Sequence, residues 1–195
     1  NGLGKAAMEA FESNNIVVYG FLDDKAEREG EEIGQVAVLG TMEDNPYYDL
    51  IGKDCEAFIA TTEIELRKGL VETLATEKKT MPVNSVHEAA QIMASAAIGH
   101  GNYIGAGVVI GANSTIGNHL VLNTGAIIDY DVKIADFAQI GAGSIINSGV
   151  VIEEEVFIGS GVTIISGVKI GQGARIGAGS VVSNDIKAGS TVFGH

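Results

Sequence analysis

At 195 residues, with 46% hydrophobic content, the chain is long enough for one repeat domain plus a small globular one and too apolar to be disordered. Its net charge of −13 excludes non-specific nucleic-acid binding, which needs clustered Lys and Arg, and 2 Pro beside 27 Gly argue against a collagen-like or low-complexity chain. The lone Cys55 offers no disulfide framework, and neither a membrane-length apolar run nor a signal peptide is visible. These features predict a cytoplasmic protein whose partners are small molecules and other copies of itself.

Residues 1–84 read as an α/β unit. A glycine turn at Gly2-Leu3-Gly4-Lys5 leads into a helical stretch that ends near Ser13, and the apolar run Ile16 to Leu22 then closes on Asp23-Asp24. Further apolar runs span Val36 to Leu39 and Cys55 to Ala60, and a helix is predicted from Glu63 to about Lys78. The order suits a Rossmann-like unit, in which a strand precedes the glycine turn; this chain begins on the turn, at Asn1, so that strand is expected to be missing. Asp23 follows Gly4 by 19 residues, the place where dinucleotide-type folds put a carboxylate on ribose hydroxyls while turn N–H groups meet a phosphate. Gly2, Gly4, Asp23 and Asp24 are therefore candidate nucleotide or nucleotide-sugar contacts. A tight turn and a capped strand end without a ligand explain the same residues.

From Ile98 to Val181 the text repeats every six residues. Ile98, Ile104, Ile110, Ile116, Leu122 and Ile128, and the corresponding positions through Ile176, are all aliphatic, and a small or medium residue follows each by four, as in Val108, Ser114, Ala126 and Val132. This is the pattern of a left-handed parallel β-helix, whose narrow triangular core takes two inward residues per face. Gly, Asn or Asp usually follows the aliphatic position, types that adopt positive φ or hydrogen-bond to the backbone at corners. Residues 85–195 are assigned to this domain, with three hexads per coil.

Residues eighteen apart stack in columns about 4.8 Å per step. One column reads Thr115, Lys133, Val151, Lys169, Lys187, and it holds three of the four Lys or Arg residues after residue 84. Lys169 and Lys187 are candidates for the phosphates of an acyl carrier such as coenzyme A; a solvated edge that discourages strand association is the other reading. A second column, Ala142, Ser160, Ala178, would let a pantetheine arm lie against backbone, and it equally satisfies corner sterics.

The domain order, Phe21-Leu22-Asp23-Asp24 and the string Asn123-Thr124-Gly125-Ala126-Ile127-Ile128-Asp129-Tyr130-Asp131 together resemble the NeuD/PglD-type sugar acyltransferases. The resemblance implies a homotrimer that transfers an acetyl group from acetyl-CoA to a hydroxyl or amine of a sugar, often a nucleotide-linked amino sugar. It implies that Asp23 and Asp24 meet the nucleotide, that Asn123 lines the acceptor pocket, and that Gln139, Ser160 and Ala178 border an acetyl-CoA groove between adjacent β-helices. The family's general-base histidine falls at Tyr130, flanked by Asp129 and Asp131. Leu3 stands for the histidine usual in the glycine turn and Gln139 for the one in the next coil. A phenol ionises near pH 10, so a tyrosine base at neutrality costs roughly 4 kcal/mol, and adjacent carboxylates disfavour the phenolate. Tyr130 and Asp131 are the catalytic candidates, Tyr130 as a hydrogen-bond donor or positioning group; a silent member that keeps scaffold and ligand binding is the alternative. His87, His100 and His119 do not share a column, and two coil histidines are too few for the three imidazoles of a γ-type carbonic anhydrase zinc site, so no metal is expected. The N-terminal unit is too short for a pyrophosphorylase.

Overall fold

The computed structural model describes residues 2–43 and 45–193. The chain divides into two compact units, Asn1–Val83 and Asn84–His195.

In the first unit, helix α1 spans Gly2–Ser13 and buries Gly4, Ala7, Met8 and Ala10 on one face. The expected glycine turn is therefore the first turn of that helix: Gly2 and Gly4 are helical residues, not a loop, while Asn1 lies outside the described residues. The run Ile16–Leu22 forms no continuous strand. Only Phe21 pairs, in parallel with Val38, and Ile16, Val17 and Tyr19 stand exposed, so their apolar side chains have no sheet layer to bury against. Val36–Ala37 (β2) instead pairs antiparallel with Glu32–Ile33 (β1), a hairpin closed at Gly34, where φ is +67°. Cys55–Ala60 forms no continuous strand; a single bridge joins Cys55 to Ile51. Helix α2 (Ile64–Thr73) continues into one π-helical stretch, Leu74–Lys78, and stops at left-handed Lys79. A small core of Tyr48, Ile51, Ile59 and Leu74 holds this half, and no helix among the described residues is long and apolar enough to cross a membrane.

The second unit is a parallel β-helix. Its two-residue strands stack into three sheets of seven, six and five strands. The first face carries Ser85, Tyr103, Val121, Gln139, Phe157, Arg175 and Thr191 outward; the second carries Gln91, Val109, Ile127, Ile145, Thr163 and Val181; the third carries Ala97, Thr115, Lys133, Val151 and Lys169. In the six-residue series Ile104, Ile110 and onward to Ile176, each inward aliphatic is at most 2% exposed. The coiling begins at Ser85–Val86, earlier than the hexads that start at Ile98. Val86 and Ile92 already keep the six-residue spacing; Val86 packs on the core from its end coil, while Ile92 is exposed.

Two geometric expectations change. Positive φ falls three residues after the aliphatic position, not one: Gly107, Asn113, His119, Gly125, Asp131 and Phe137 adopt it. The glycines immediately after the aliphatics are there for close approach, since a Cβ on Gly111 would sit 2.6 Å from the Asp129 carbonyl carbon. Asn123 and Asn147 at equivalent positions instead donate to the next coil, to the carbonyls of Ile140 (3.0 Å) and Ile164 (2.6 Å). The last coil is also two residues short. Ile186 pairs with Ile170 and Arg175 with Thr191, so Asp185, whose carboxylate accepts from the Lys169 N–H at 2.8 Å, takes the place in the column predicted for Lys187. Lys187 stands beside Gly171 at the next corner.

Candidate active site

The three faces meet at three edges, and the edges divide the candidate residues. Asn123, Ser160 and Ala178 lie on the edge between first and second faces. Ala142, Ser160 and Ala178 stay small and exposed there because Gly141 and Gly159 press directly on the backbone of the coil beneath. The corner carbonyls of Ala142 and Ser160 accept from the Gly161 and Gly179 N–H groups at 2.8 and 2.9 Å, which fixes the column. Gln139 is on the adjoining first face and only 8% exposed.

Tyr130 and Asp131 occupy a different edge, between second and third faces. Tyr130 is 52% exposed, and two hydrogen bonds hold its backbone while two more hold its neighbours. Its N–H donates to the Asp129 carboxylate at 2.9 Å, and its carbonyl accepts from Gly149. The Ser114 hydroxyl donates to the Asp129 carbonyl at 2.6 Å and accepts from the Val132 N–H at 3.1 Å. Asp131 is exposed and left-handed, with φ +58°, and its N–H donates to Ala112. One carboxylate is thus consumed as a backbone cap, and the other faces solvent beside a phenol. That pair can donate one hydrogen bond and accept one proton.

Lys133 and Lys169 are exposed on the third face, next to the Tyr130 edge and away from the Ser160 edge. A shallow groove of about 580 Å³ lies on that face, lined by Thr115, Lys133, Val151 and Glu153. The fourth cation of the repeat, Arg175, was not singled out by any motif; its guanidinium lies 4.7 Å from the Phe157 ring centroid. His119 is buried and stacks on Phe137, the residue one coil on, with ring centroids 5.0 Å apart. It is a packing residue. Among the described residues no cluster of three or more His, Cys, Asp or Glu side chains could hold a metal ion.

In the N-terminal unit, Asp23 already has partners. Arg28 donates to its carboxylate at 2.6 Å and the Lys25 N–H donates at 3.1 Å. Partial burial pushes the Asp23 carboxyl up, but the Lys25 N–H, the Asp24 side chain and the Arg28 guanidinium outweigh it and hold the group below the usual carboxylate value. Asp24 is exposed beside it. Arg67, missed by motif reasoning, is buried; its guanidinium donates to the Thr61 carbonyl at 3.1 Å, and burial lowers its pKa to about 10.

Two family descriptions match the repeats. Bacterial transferase hexapeptide (six repeats) matches residues 149–184, and the hexapeptide repeat of succinyl-transferase matches 101–129 and 132–164. No curated protein matches the chain significantly. Among solved structures, a histidine variant of GDP-perosamine N-acetyltransferase from Caulobacter crescentus, in complex with CoA and GDP-perosamine, is 30% identical with a TM-score of 0.89; the alignment covers all of this chain and 90% of that one. The acetyltransferase domain of PglB from Neisseria gonorrhoeae, in complex with acetyl coenzyme A, is 28% identical with a TM-score of 0.92 over all of this chain and 92% of that one. WeeI from Acinetobacter baumannii is 25% identical with a TM-score of 0.84, over all of this chain and 93% of that one. With its hexapeptide coils and a 30% identical relative covered over nine-tenths of its length, the chain belongs to the sugar acyltransferases of the hexapeptide-repeat family.

Proposed function

We propose that this protein transfers an acetyl group from acetyl-CoA to the amine of a nucleotide-linked amino sugar. The observation that carries the reading is the full-length likeness to an N-acetyltransferase solved with CoA and GDP-perosamine. In the proposed reaction the neutral amine nitrogen attacks the thioester carbonyl, the C–N bond forms, the C–S bond breaks, and CoA leaves as the thiolate, which then takes up the proton that the amine gives to Asp131. Tyr130 donates a hydrogen bond to the acceptor or to the developing oxyanion, and the Asp131 carboxylate takes the proton released from nitrogen. A carboxylate is a weak base near pH 7, so the arrangement suits an amine, which sheds its proton after attack, better than a hydroxyl.

The second face separates the Tyr130 edge from the Asn123 and Ser160 edge, and it is apolar: Ile127, Ile145 and Val181 are 40%, 38% and 59% exposed. Three copies packed through this face would cover it and set the Tyr130 edge of one copy against the Ser160 edge of the next. On this reading the acyl-CoA lies between copies, along Ala142, Ser160 and Ala178 beside Gln139, with Lys169 of the adjacent copy near its phosphates. Lys187, displaced from the column, joins it only if the shortened last coil turns its side chain back. Residues 1–83 form the Rossmann-like half, where the first turn of α1, including Gly2 and Gly4, faces a phosphate and Asp23 and Asp24 accept from ribose.

The test is transfer from acetyl-CoA to GDP-perosamine and other nucleotide-linked amino sugars, run with Tyr130→Phe and Tyr130→His. Acceptor-dependent CoA release that falls in Tyr130→Phe supports a working Tyr130. Tight acetyl-CoA binding without turnover, restored by about 10²-fold or more in Tyr130→His, marks a silent scaffold that lost its base. Neither binding nor turnover refutes the reading.

A further inference from the structure

We propose that Ser114, inside the core, is a positioning residue for the transfer: its hydroxyl sets the turn that carries Tyr130 and Asp131. The proposal rests on the reading of that corner given above and extends it to a side chain that the hexads explain only as small. Along this edge the inward position that follows the corner is Ala96, Ser114, Val132, Val150 and Val168, so Ser114 is the polar member of an apolar column, and it is fully buried. A hydroxyl there is costly unless its proton and a lone pair are both used. At the neighbouring corners the turn closes on itself: the N–H of Ser114 donates to the Gly111 carbonyl at 3.4 Å, that of Val150 to Asn147 at 3.4 Å and that of Val168 to Ile165 at 3.3 Å. At the Tyr130 corner the Ser114 hydroxyl, one coil away, stands in that bond instead. It accepts from the Val132 N–H at 3.1 Å and donates to the Asp129 carbonyl at 2.6 Å, and the residues between those two points are Tyr130 and Asp131.

This corner also needs more holding than those that follow it. Asp131 is left-handed, with φ +58°, where the next two coils of the edge use Gly149 and Gly167, for which that conformation costs little. Asn102 and Ser144 stand in the same way in the Gly117–Leu120 and Gly159–Val162 turns, so the chain sets selected corners by a polar core atom. At Ser114 the corner so set is the one with the phenol and the carboxylate. Without the hydroxyl, either the two ends of the turn close on each other, as at the neighbouring corners, or the Val132 N–H and the Asp129 carbonyl stay unpaired in the core. Both outcomes move Tyr130 and Asp131 relative to the acceptor, and a displacement near 1 Å at reacting groups costs up to about 10²-fold in rate.

The experiment compares Ser114→Val with Ser114→Thr, side chains of nearly one shape of which only Thr keeps the hydroxyl. Val already fills this position in the next three coils, so both variants should fold. In the transfer assay above, Ser114→Val is expected to lower kcat about 10- to 10²-fold with calorimetric acetyl-CoA affinity unchanged, and Ser114→Thr to stay within about threefold of the wild type. Amide hydrogen exchange at Val132 should quicken in the Val variant and not in the Thr variant. Because Ser114 acts through the corner, Ser114→Val should cost less than about threefold more once Asp131→Asn is in place. Full turnover in Ser114→Val overturns the inference. So do equal losses in Val and Thr, which packing explains, and a full multiplicative loss in the double variant. Wild-type turnover in both Tyr130→Phe and Asp131→Asn, or no turnover in the wild type, sinks the reading of the corner and the inference with it; loss in those two variants beside a fully active Ser114→Val sinks the inference alone.

Discussion

Replacing Gly111 by Ala tests whether close coil packing at the Tyr130 edge sets the chemistry there. The added Cβ would lie 2.6 Å from the Asp129 carbonyl carbon and 2.7 Å from the Tyr130 nitrogen, whereas ordinary contact begins at 3.4 Å. The Asp129–Tyr130 peptide must therefore retreat by about 0.8 Å. It is not free to do so, because the Ser114 hydroxyl and the Gly149 N–H hold its two flanking carbonyls and the Asp129 N–H donates to Ile146 at 2.9 Å. Overpacking of this kind costs about 1–3 kcal/mol and a strained hydrogen bond adds about 1, so urea unfolding should lose about 2–4 kcal/mol. A displacement near 1 Å at reacting groups costs up to about 10²-fold, so the transfer rate should fall with stability. Gly173→Ala is the control: φ is +67° and nothing lies near its Cβ, so it should cost about 1–2 kcal/mol and leave the rate unchanged. If Gly111→Ala is no less stable than Gly173→Ala and works at full rate, coil spacing does not position Tyr130.

Asp23, held below the ordinary carboxylate pKa, stabilises the N-terminal unit above that value, and the stabilisation fades as pH falls through it, from about 4 downward. Asp23→Asn should therefore flatten the acid limb of the urea midpoint against pH; superimposable acid limbs for the two proteins would show that the Lys25 N–H, Asp24 and Arg28 contacts to this carboxylate carry no pH-dependent folding energy. The apolar second face predicts a trimer by light scattering at micromolar concentration, and Ile145→Asp, which would bury a charge between copies, should give a monomer. A monomeric wild type removes the inter-copy groove.

The β-helix was legible because its core repeats one decision, a single aliphatic every six residues, over so many coils that local exceptions average out. Val86 and Ile92 kept that spacing but fell outside the hexads because Met93 and Ser95 lack the glycine punctuation of later corners. What the period could not convey was where a coil is shortened. Two missing residues between Val181 and Ile186 shift every later position, which moved Asp185 beside Lys169 and Lys187 to the next corner. The N-terminal unit was less legible because its signals are single. Gly2 and Gly4 read equally as a turn or as a helix start, and Ile16 to Leu22 has the composition of a buried strand without a second sheet partner to bury it. Composition reports what a segment favours, and burial depends on neighbours that composition does not name.

The edges also explain why sequence order misleads about the site. Asn123 and Tyr130 are seven residues apart in the chain, yet a whole face, Ile127–Ile128, runs between their corners, so closeness in sequence places them on opposite sides of the same apolar surface. Residues eighteen apart, by contrast, are neighbours: Ala142, Ser160 and Ala178 line one edge although they span two full coils of the chain. A site drawn from one edge has a long path for a carrier and no proton acceptor, and a site drawn from the other has a phenol and a carboxylate but no path. On the proposed reading, a second copy supplies both. The apolar face that separates the two edges within one chain is, on the proposed reading, the surface that joins them between chains, so the residues that hold the assembly together and those that hold the substrate are set by the same eighteen-residue period.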